Sequence, residues 1–134
     1  MVSMTGIYLG NLKTEVTHLK SGHKVITDPP PDNNGKGEAF SPTDLACASL
    51  NSCMMTLMAM LADRENIDLV GLRTDIVKIM GSNPRKIAEI HITFTHDNLI
   101  ATDVQKEKLR RAALTCPVAL SLSEELKQEI VFNF

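Results

Sequence analysis

The first part of the chain alternates short runs of β-branched and apolar residues with turn residues, a pattern typical of antiparallel strands. These runs cover residues 4–9, 12–18 and 23–27. Gly10-Asn11 lies between the first two runs and predicts a tight hairpin turn. The sequence therefore predicts an N-terminal meander of three antiparallel strands.

The next segment, 28–40, has no regular apolar spacing and reads DPPPDNNGKGEAF. Its three consecutive prolines lack N–H donors, and its glycines allow positive φ, so the segment is predicted to be a loop. A loop of this length inside a compact domain usually has a function.

The longest apolar segment begins after Ser41-Pro42, with Ser41 as helix N-cap and Pro42 at the first helical position. We predict a helix to about Glu65, roughly 36 Å long at 1.5 Å per residue. Its sides are apolar or small in nearly every direction, which predicts burial on most faces. One small chain can hardly enclose such a rod, so we expect a homodimer with this helix near the two-fold interface.

The second half of the chain predicts a hairpin of strands at 72–80 and 86–95, a helix at 102–116, a short helical turn at 118–122 and a final strand at 125–132. In the second strand of this hairpin the even-numbered residues are apolar and are predicted to face inward. We expect an α+β fold in which antiparallel sheets pack on two main helices, formed by one domain over residues 1–134.

Composition excludes several classes of function. The 134 residues carry a formal net charge of -2, which does not favour nucleic acid as a partner. Aromatic residues make up only 4% and tryptophan is lacking, so a site that stacks a flavin or nicotinamide is not expected. The long helix approaches the length of a membrane span, but polar residues interrupt it, and no membrane segment is expected.

Motifs for cofactors and metals do not occur. The sequence has no GxGxxG, Walker or GxSxG motif, so we expect no cofactor. Of the four histidines, His91 and His96 lie on one predicted strand but point to opposite faces, and we predict no metal site.

The three cysteines are the remaining candidates for chemistry. An odd count without a signal-like N-terminus favours a reducing cytoplasm. Cys53 lies midway along the long helix, and Cys47 lies about 240° around that helix from it, which favours a packing role for Cys47. Cys116 ends the other main helix, directly before Pro117. Whether Cys53 and Cys116 meet depends on whether the two helices cross.

These features together resemble the OsmC/Ohr family of osmotically induced and organic-hydroperoxide-resistance proteins. The long helix is entered through S-P-T-D-L and carries its cysteine in A-S-L-N-S-C, and a second cysteine follows 63 positions later (116 − 53) in C-P-V. The segment GKGEAFSPTDL resembles a small OsmC-like branch, and the order of strands and helices resembles the intertwined α/β dimer of the family.

The resemblance implies a cytoplasmic thiol peroxidase for organic hydroperoxides, with Cys53 as the attacking thiolate and Cys116 as the resolving thiol. A sulfenic acid on Cys53 would condense with Cys116 to a disulfide, which a small or protein dithiol would reduce. The alternative is an OsmC-like protein without peroxidase activity that binds a small apolar molecule.

Hydroperoxide-type members of the family pair a glutamate, ten residues before the helix cysteine, with an arginine from the early strands. This chain has Thr43 at the glutamate position and Asp44 beside it, and its first arginine is Arg64. Asp44 is therefore the expected substitute carboxylate, and Lys20 and Lys24 are the expected cations, with the difference that lysine lacks the bidentate fork of arginine.

Overall fold

The computed structural model describes residues 1–134, and its elements follow the predicted order. The elements are β1 (Met4–Gly10), β2 (Lys13–His18), β3 (Lys24–Thr27), a 3₁₀ turn (Pro31–Asn33), α1 (Pro42–Arg64), β4 (Arg73–Gly81), β5 (Lys86–Thr95), α2 (Asp103–Leu114), α3 (Pro117–Ser121) and β6 (Lys127–Asn133). The chain forms two compact units, Met1–Ala46 and Cys47–Phe134. The assignment of residues 1–134 to a single domain stays a prediction.

The first unit contains the predicted meander, with β2 between β1 and β3 in an antiparallel sheet. The turn lies one residue later than predicted, at Asn11 and Leu12, which both have positive φ (55° and 66°). Two successive residues with positive φ match the right-handed twist of a hairpin. The turn therefore fixes the register in which β1 pairs with β2.

The predicted loop closes on itself at its two ends. The N–H of Asp28 donates to the carbonyl of Phe40 at 3.0 Å, and Thr27 forms an isolated parallel bridge with Phe40. Within the loop, the N–H of Gly35 donates to the carbonyl of Pro30 at 3.1 Å. The segment is thus an ordered structure held by its own backbone.

The helix α1 begins where predicted and has a reciprocal cap. The Oγ of Ser41 accepts from the N–H of Asp44, and a carboxylate oxygen of Asp44 accepts from the N–H of Ser41, both at 3.0 Å. This pair satisfies two of the N–H groups that a helix start leaves without partners.

Burial of α1 within one chain is confined to one stripe. The buried residues follow each other at a spacing of three to four, namely Cys47, Leu50, Met54, Met58 and Ala62, and burial of the other faces by a partner chain stays a prediction. It is long and apolar enough to cross a membrane, with a mean hydropathy of 1.6, but core helices of soluble proteins show the same composition. The buried stripe belongs to the core of the second unit.

The sheet of the second unit differs from the expectation in one strand. β4 and β5 are antiparallel as predicted, but β6 runs parallel to β5. The reason is topological, because α2 and α3 connect β5 to β6 as a crossover, and such a connection returns the chain in its original direction. The inward set on β5 is confirmed, since Ile90, Ile92 and Phe94 are fully buried.

One hydrophobic core occupies the second unit and includes residues from α1, β5, α2 and α3. The helix α2 starts with a capping box between Thr102 and Gln105, and Pro117 sets the first turn of α3. The predicted α+β fold class, with a sheet packed on helices, is confirmed in this unit.

Candidate functional site

Cys53 and Cys116 come together in the second unit. Cys53 lies midway along α1, and Cys116 is the N-cap residue of α3. The two side chains are close enough for Cys53 to raise the pKa of Cys116, and neither cysteine forms a disulfide. The two helices thus bring two reduced cysteines near each other in the second unit.

The surroundings of Cys116 favour the protonated thiol. Its side chain is fully buried, and its sulfur accepts a hydrogen bond from the N–H of Ala119 at 3.4 Å. Burial raises the pKa of Cys116 above its ordinary value, and contact with Cys53 raises the pKa further, while the Ala119 N–H acts in the opposite direction. Cys116 therefore holds its proton at neutral pH.

Cys53 is half-buried, in contrast to its fully buried partner. A molecule approaching from solvent meets Cys53 first. The third cysteine, Cys47, is only 3% exposed and lies in the hydrophobic core. The three thiols thus differ in their exposure to solvent, and Cys53 is the one that a molecule in solution can reach directly.

Two of the predicted activating residues serve the start of α1. The carboxylate of Asp44 accepts the cap hydrogen bond from Ser41, and the hydroxyl of Thr43 lies 3.1 Å from the hydroxyl of Ser41. Both residues belong to the first unit. A role in activation would have to coexist with these capping contacts.

The two predicted lysines also belong to the first unit. Lys24 forms an ion pair with Glu15 across neighbouring strands, at 3.1 Å. Lys20 lies exposed in the turn between β2 and β3. The structure therefore brings together Cys53 and Cys116, whereas Lys24 has its own local partner.

A third lysine, Lys13, is not among the residues predicted from the sequence, and it pairs with a buried carboxylate. The ammonium of Lys13 lies 3.3 Å from Asp28 and 3.7 Å from Glu38. This pair agrees with the antiparallel register of β2 and β3, in which Thr14 lies opposite Thr27. Lys13 precedes Thr14 and Asp28 follows Thr27, so these two residues also lie opposite each other.

Asp28 is the most buried charged residue of the first unit, at 1% exposure. The N–H of Glu38 donates to its Oδ2 at 3.0 Å, whereas its Oδ1 is buried without a hydrogen-bond partner in the chain. The Glu38 N–H and the Lys13 ammonium lower the pKa of Asp28, against the opposing effect of burial. The carboxylate is thus ionised and ties the loop to β2.

A cavity of about 420 Å³ lies beside α1 in the second unit. Its walls come from one side of the helix and from the segment 67–72, and they are Met55, Thr56, Ala59, Asp63, Ile67, Asp68, Leu69, Val70, Gly71 and Leu72. The lining is mainly apolar, and neither Cys53 nor Cys116 belongs to it. The cavity and the cysteine pair are separate features of this unit.

Comparison with known proteins identifies the family. The family model for OsmC-like proteins matches residues 35–131, and the chain belongs to this family. A solved structure from Psychrobacter arcticus, provisionally described as an osmotic stress induced and detoxification response protein, is similar at 40% identity with a TM-score of 0.94. The match covers 99% of this chain and 96% of that one. No curated protein matches the chain.

More distant structures share the fold. The organic hydroperoxide resistance protein OsmC of Legionella pneumophila is 17% identical with a TM-score of 0.71, over 100% of this chain and 98% of that one. An OsmC-like protein of unknown function from Vibrio cholerae is 18% identical with a TM-score of 0.76, over 98% and 100%. The predicted OsmC-like fold is confirmed by these similarities.

Proposed function

We propose that this protein is a cysteine-based peroxidase that reduces organic hydroperoxides. The observation that carries the proposal is the proximity of Cys53 and Cys116, since Cys53 is near enough to raise the pKa of Cys116. Two adjacent thiols can reduce one peroxide without a further cofactor, because the two electrons that the peroxide accepts are released when the thiols form a disulfide. The organic hydroperoxide resistance proteins that share the fold support this choice of substrate.

The difference between the two thiols supports their order of action. The thiolate of Cys53 attacks the terminal peroxide oxygen, the O–O bond breaks, and the alcohol leaves with a proton. The resulting sulfenic acid on Cys53 is attacked by the sulfur of Cys116, which releases water and forms the disulfide. Cys116 suits the second step, because it is buried near Cys53 and its raised pKa keeps it from competing for the peroxide as a thiolate.

A dithiol completes the proposed cycle. One of its thiolates attacks the disulfide, and its second thiol then closes a disulfide within the reductant and releases both cysteines in reduced form. The reductant is either a small molecule or a protein. A cytoplasmic location agrees with this requirement, since thiols are kept reduced there.

Activation of Cys53 requires groups that favour its thiolate form. We propose Asp44, Thr43, Lys20 and Lys24 as the activating set, in place of the glutamate and arginine of hydroperoxide-type relatives. A lysine can stabilise a thiolate as a point charge. The capping contacts of Asp44 and the ion pair of Lys24 limit how far these side chains can move toward another role.

A homodimer is the proposed assembly. Only 28% of the most apolar window of α1 is buried within the chain. The strand β1 also exposes large apolar side chains, with Ile7 at 60% and Tyr8 at 64%. Apolar surface of this extent is usually covered by a partner.

The alternative function is binding of a small apolar molecule without chemistry. It is favoured by the cavity beside α1, whose volume is within the range of ligand sites and whose walls lack both cysteines. In this case the cysteines would contribute only to packing. Peroxide consumption separates the two functions, because a binding protein leaves the hydroperoxide intact.

The decisive test is stopped-flow consumption of cumene hydroperoxide by wild type, Cys53→Ser and Cys47→Ser, each supplied with a dithiol. We expect Cys53→Ser to lose the catalysed reaction and Cys47→Ser to keep it. Thiol counting after one equivalent of peroxide should show the loss of two thiols in wild type, with Cys47 retained.

Two results would contradict the peroxidase. Wild type that consumes peroxide no faster than Cys53→Ser would exclude it, and so would three thiols remaining after treatment.

The same assay across pH tests activation in Asp44→Asn and Lys24→Gln. Loss of an activating group moves the pH at which the rate rises, whereas loss of a cap or surface ion pair changes only stability.

A further inference from the structure

Three side chains with metal-ligand atoms converge on the outer face of the second sheet. Glu89 and His91 are two residues apart on β5 and share a face, and Glu129 is the register partner of His91 on β6. Their carboxylate oxygens and imidazole nitrogen all lie within 4.8 Å of one another. Comparing the histidines alone could not find this group, because it depends on the parallel register of β6.

The spacing of these atoms approaches that of a coordination sphere. The Nε2 of His91 lies 3.0 Å from an oxygen of Glu89. A cation about 2.1 Å from nitrogen and oxygen ligands places adjacent ligands roughly 3.0–3.4 Å apart. One edge of the sphere therefore already has the required length, and the ligand oxygen of Glu129 lies within 4.8 Å of both other atoms.

The carboxylates of Glu89 and Glu129 already form ion pairs with a lysine. The ammonium of Lys127 lies 3.0 Å from Glu129 and 3.7 Å from Glu89. The Lys127 side chain is 63% exposed, and ion pairs of such exposed groups are weak. The position of Lys127 therefore shows that the two carboxylates attract cations. A metal ion that binds them more strongly can displace the flexible lysine side chain.

We propose that Glu89, His91 and Glu129 form a binding site for a divalent first-row transition metal ion, such as Zn²⁺. One imidazole and two carboxylates suit such ions, whereas Mg²⁺ and Ca²⁺ prefer oxygen ligands alone. Three protein ligands leave further coordination positions for water or a small ligand. The site is separate from the cysteine pair, and a bound ion would join β5 to β6.

The test is calorimetric titration of the complete chain, without an affinity tag, with Zn²⁺. We expect one ion per chain in wild type. His91→Gln should weaken binding by more than about tenfold, since even outer-shell partners of metal ligands contribute roughly 10–100-fold. Lys127→Gln should tighten binding about two- to fivefold, because it removes the competing ammonium at the cost of a surface ion pair.

The matched control is His23→Gln, which removes an exposed histidine of the first unit and should leave affinity unchanged. Circular dichroism of each variant checks folding. Zinc held by the cysteine thiols would bind all variants equally, and that result would overturn the proposal, as would no binding to wild type. Opposite effects of His91→Gln and Lys127→Gln would support it.

Discussion

Two aspartates of the first unit show how local contacts assign different tasks to the same side chain. The carboxylate of Asp44 caps α1 through the N–H of Ser41. The carboxylate of Asp28 is buried and receives the ammonium of Lys13 and the N–H of Glu38. The first residue stabilises a helix start, and the second fastens a long loop to the neighbouring strand.

Removing the charge of Asp28 should make the protein less stable in a pH-dependent way. The pKa of Asp28 is lowered below 3.8, so its ionised form stabilises the fold above that pH, and this stabilisation is lost as the pH falls through the folded-state pKa. We expect Asp28→Asn to unfold at lower urea concentration than wild type at neutral pH. The difference should shrink below pH 3.8.

Urea unfolding midpoints across acid and neutral pH check this expectation, with Glu124→Gln as a control at an exposed carboxylate. Lys13→Met should also lower the midpoint, since it leaves the buried carboxylate without its counter-charge. A difference between Asp28→Asn and wild type that stays constant down to the lowest pH would contradict the assigned role.

Some of these residue contacts could be predicted from the sequence and others could not. The cap at Asp44 follows from neighbouring residues, and the pairing of Lys13 with Asp28 follows from the hairpin register. The contact of Cys53 with Cys116 joins residues 63 positions apart, so residue spacing alone cannot establish it. For that contact the family resemblance supplied what local patterns lack.

Among the elements, the loop at 28–40 depends on close backbone contacts that only particular residues allow. A Cβ on Gly35 would lie 1.7 Å from the carbonyl oxygen of Pro29, which no rotation of a side chain can relieve. The N–H groups of Gly35 and Gly37 donate to carbonyls of the proline run. The prolines therefore supply the carbonyl acceptors, and the glycines allow the two backbone segments to approach each other closely.

Gly35→Ala should open this loop. The added methyl group must displace the backbone of Pro29, so we expect rapid proteolytic cleavage within 28–40 and a lower thermal midpoint. Limited proteolysis followed by mass spectrometry locates the cleavage. Gly6→Ala is the matched control, because a Cβ there has no heavy atom within 4 Å. Equal protection of the two variants would show that the loop tolerates the displacement.

The types of most elements were predictable because each depends on local periodicity and end signals. The alternation in β5 and the start signals of α1 and α2 are of this kind. The direction of β6 is different, since it depends on how the crossover through α2 and α3 returns to the sheet. Local patterns identify a strand but do not identify its neighbour.

On the scale of the whole molecule, the helix α1 has more apolar surface than one chain covers. The helix is apolar around its circumference, yet it buries a single stripe in this chain. The length of the helix and its apolar residues predict a second chain. The exposed apolar surface of α1 and β1 supports the same inference from the structure.

We expect sedimentation equilibrium to give a mass near 29 kDa, twice the 14.7 kDa of one chain. Met60 on α1 is 51% exposed, and Met60→Glu should weaken association because it places a charge on the apolar helix. Val104→Glu on α2, where Val104 is 67% exposed, serves as the control. A wild-type mass of 14.7 kDa at micromolar concentration would exclude the dimer.

The sulfur of Cys116 has a second task, because it also caps α3 through the N–H of Ala119. Any reaction that changes the bonding of this sulfur therefore also changes the first turn of the helix. The backbone amide of Ala119 becomes a natural reporter, whose NMR frequency and rate of hydrogen exchange follow the chemical state of the thiol. Local helix stability and cysteine chemistry are coupled at this point of the chain.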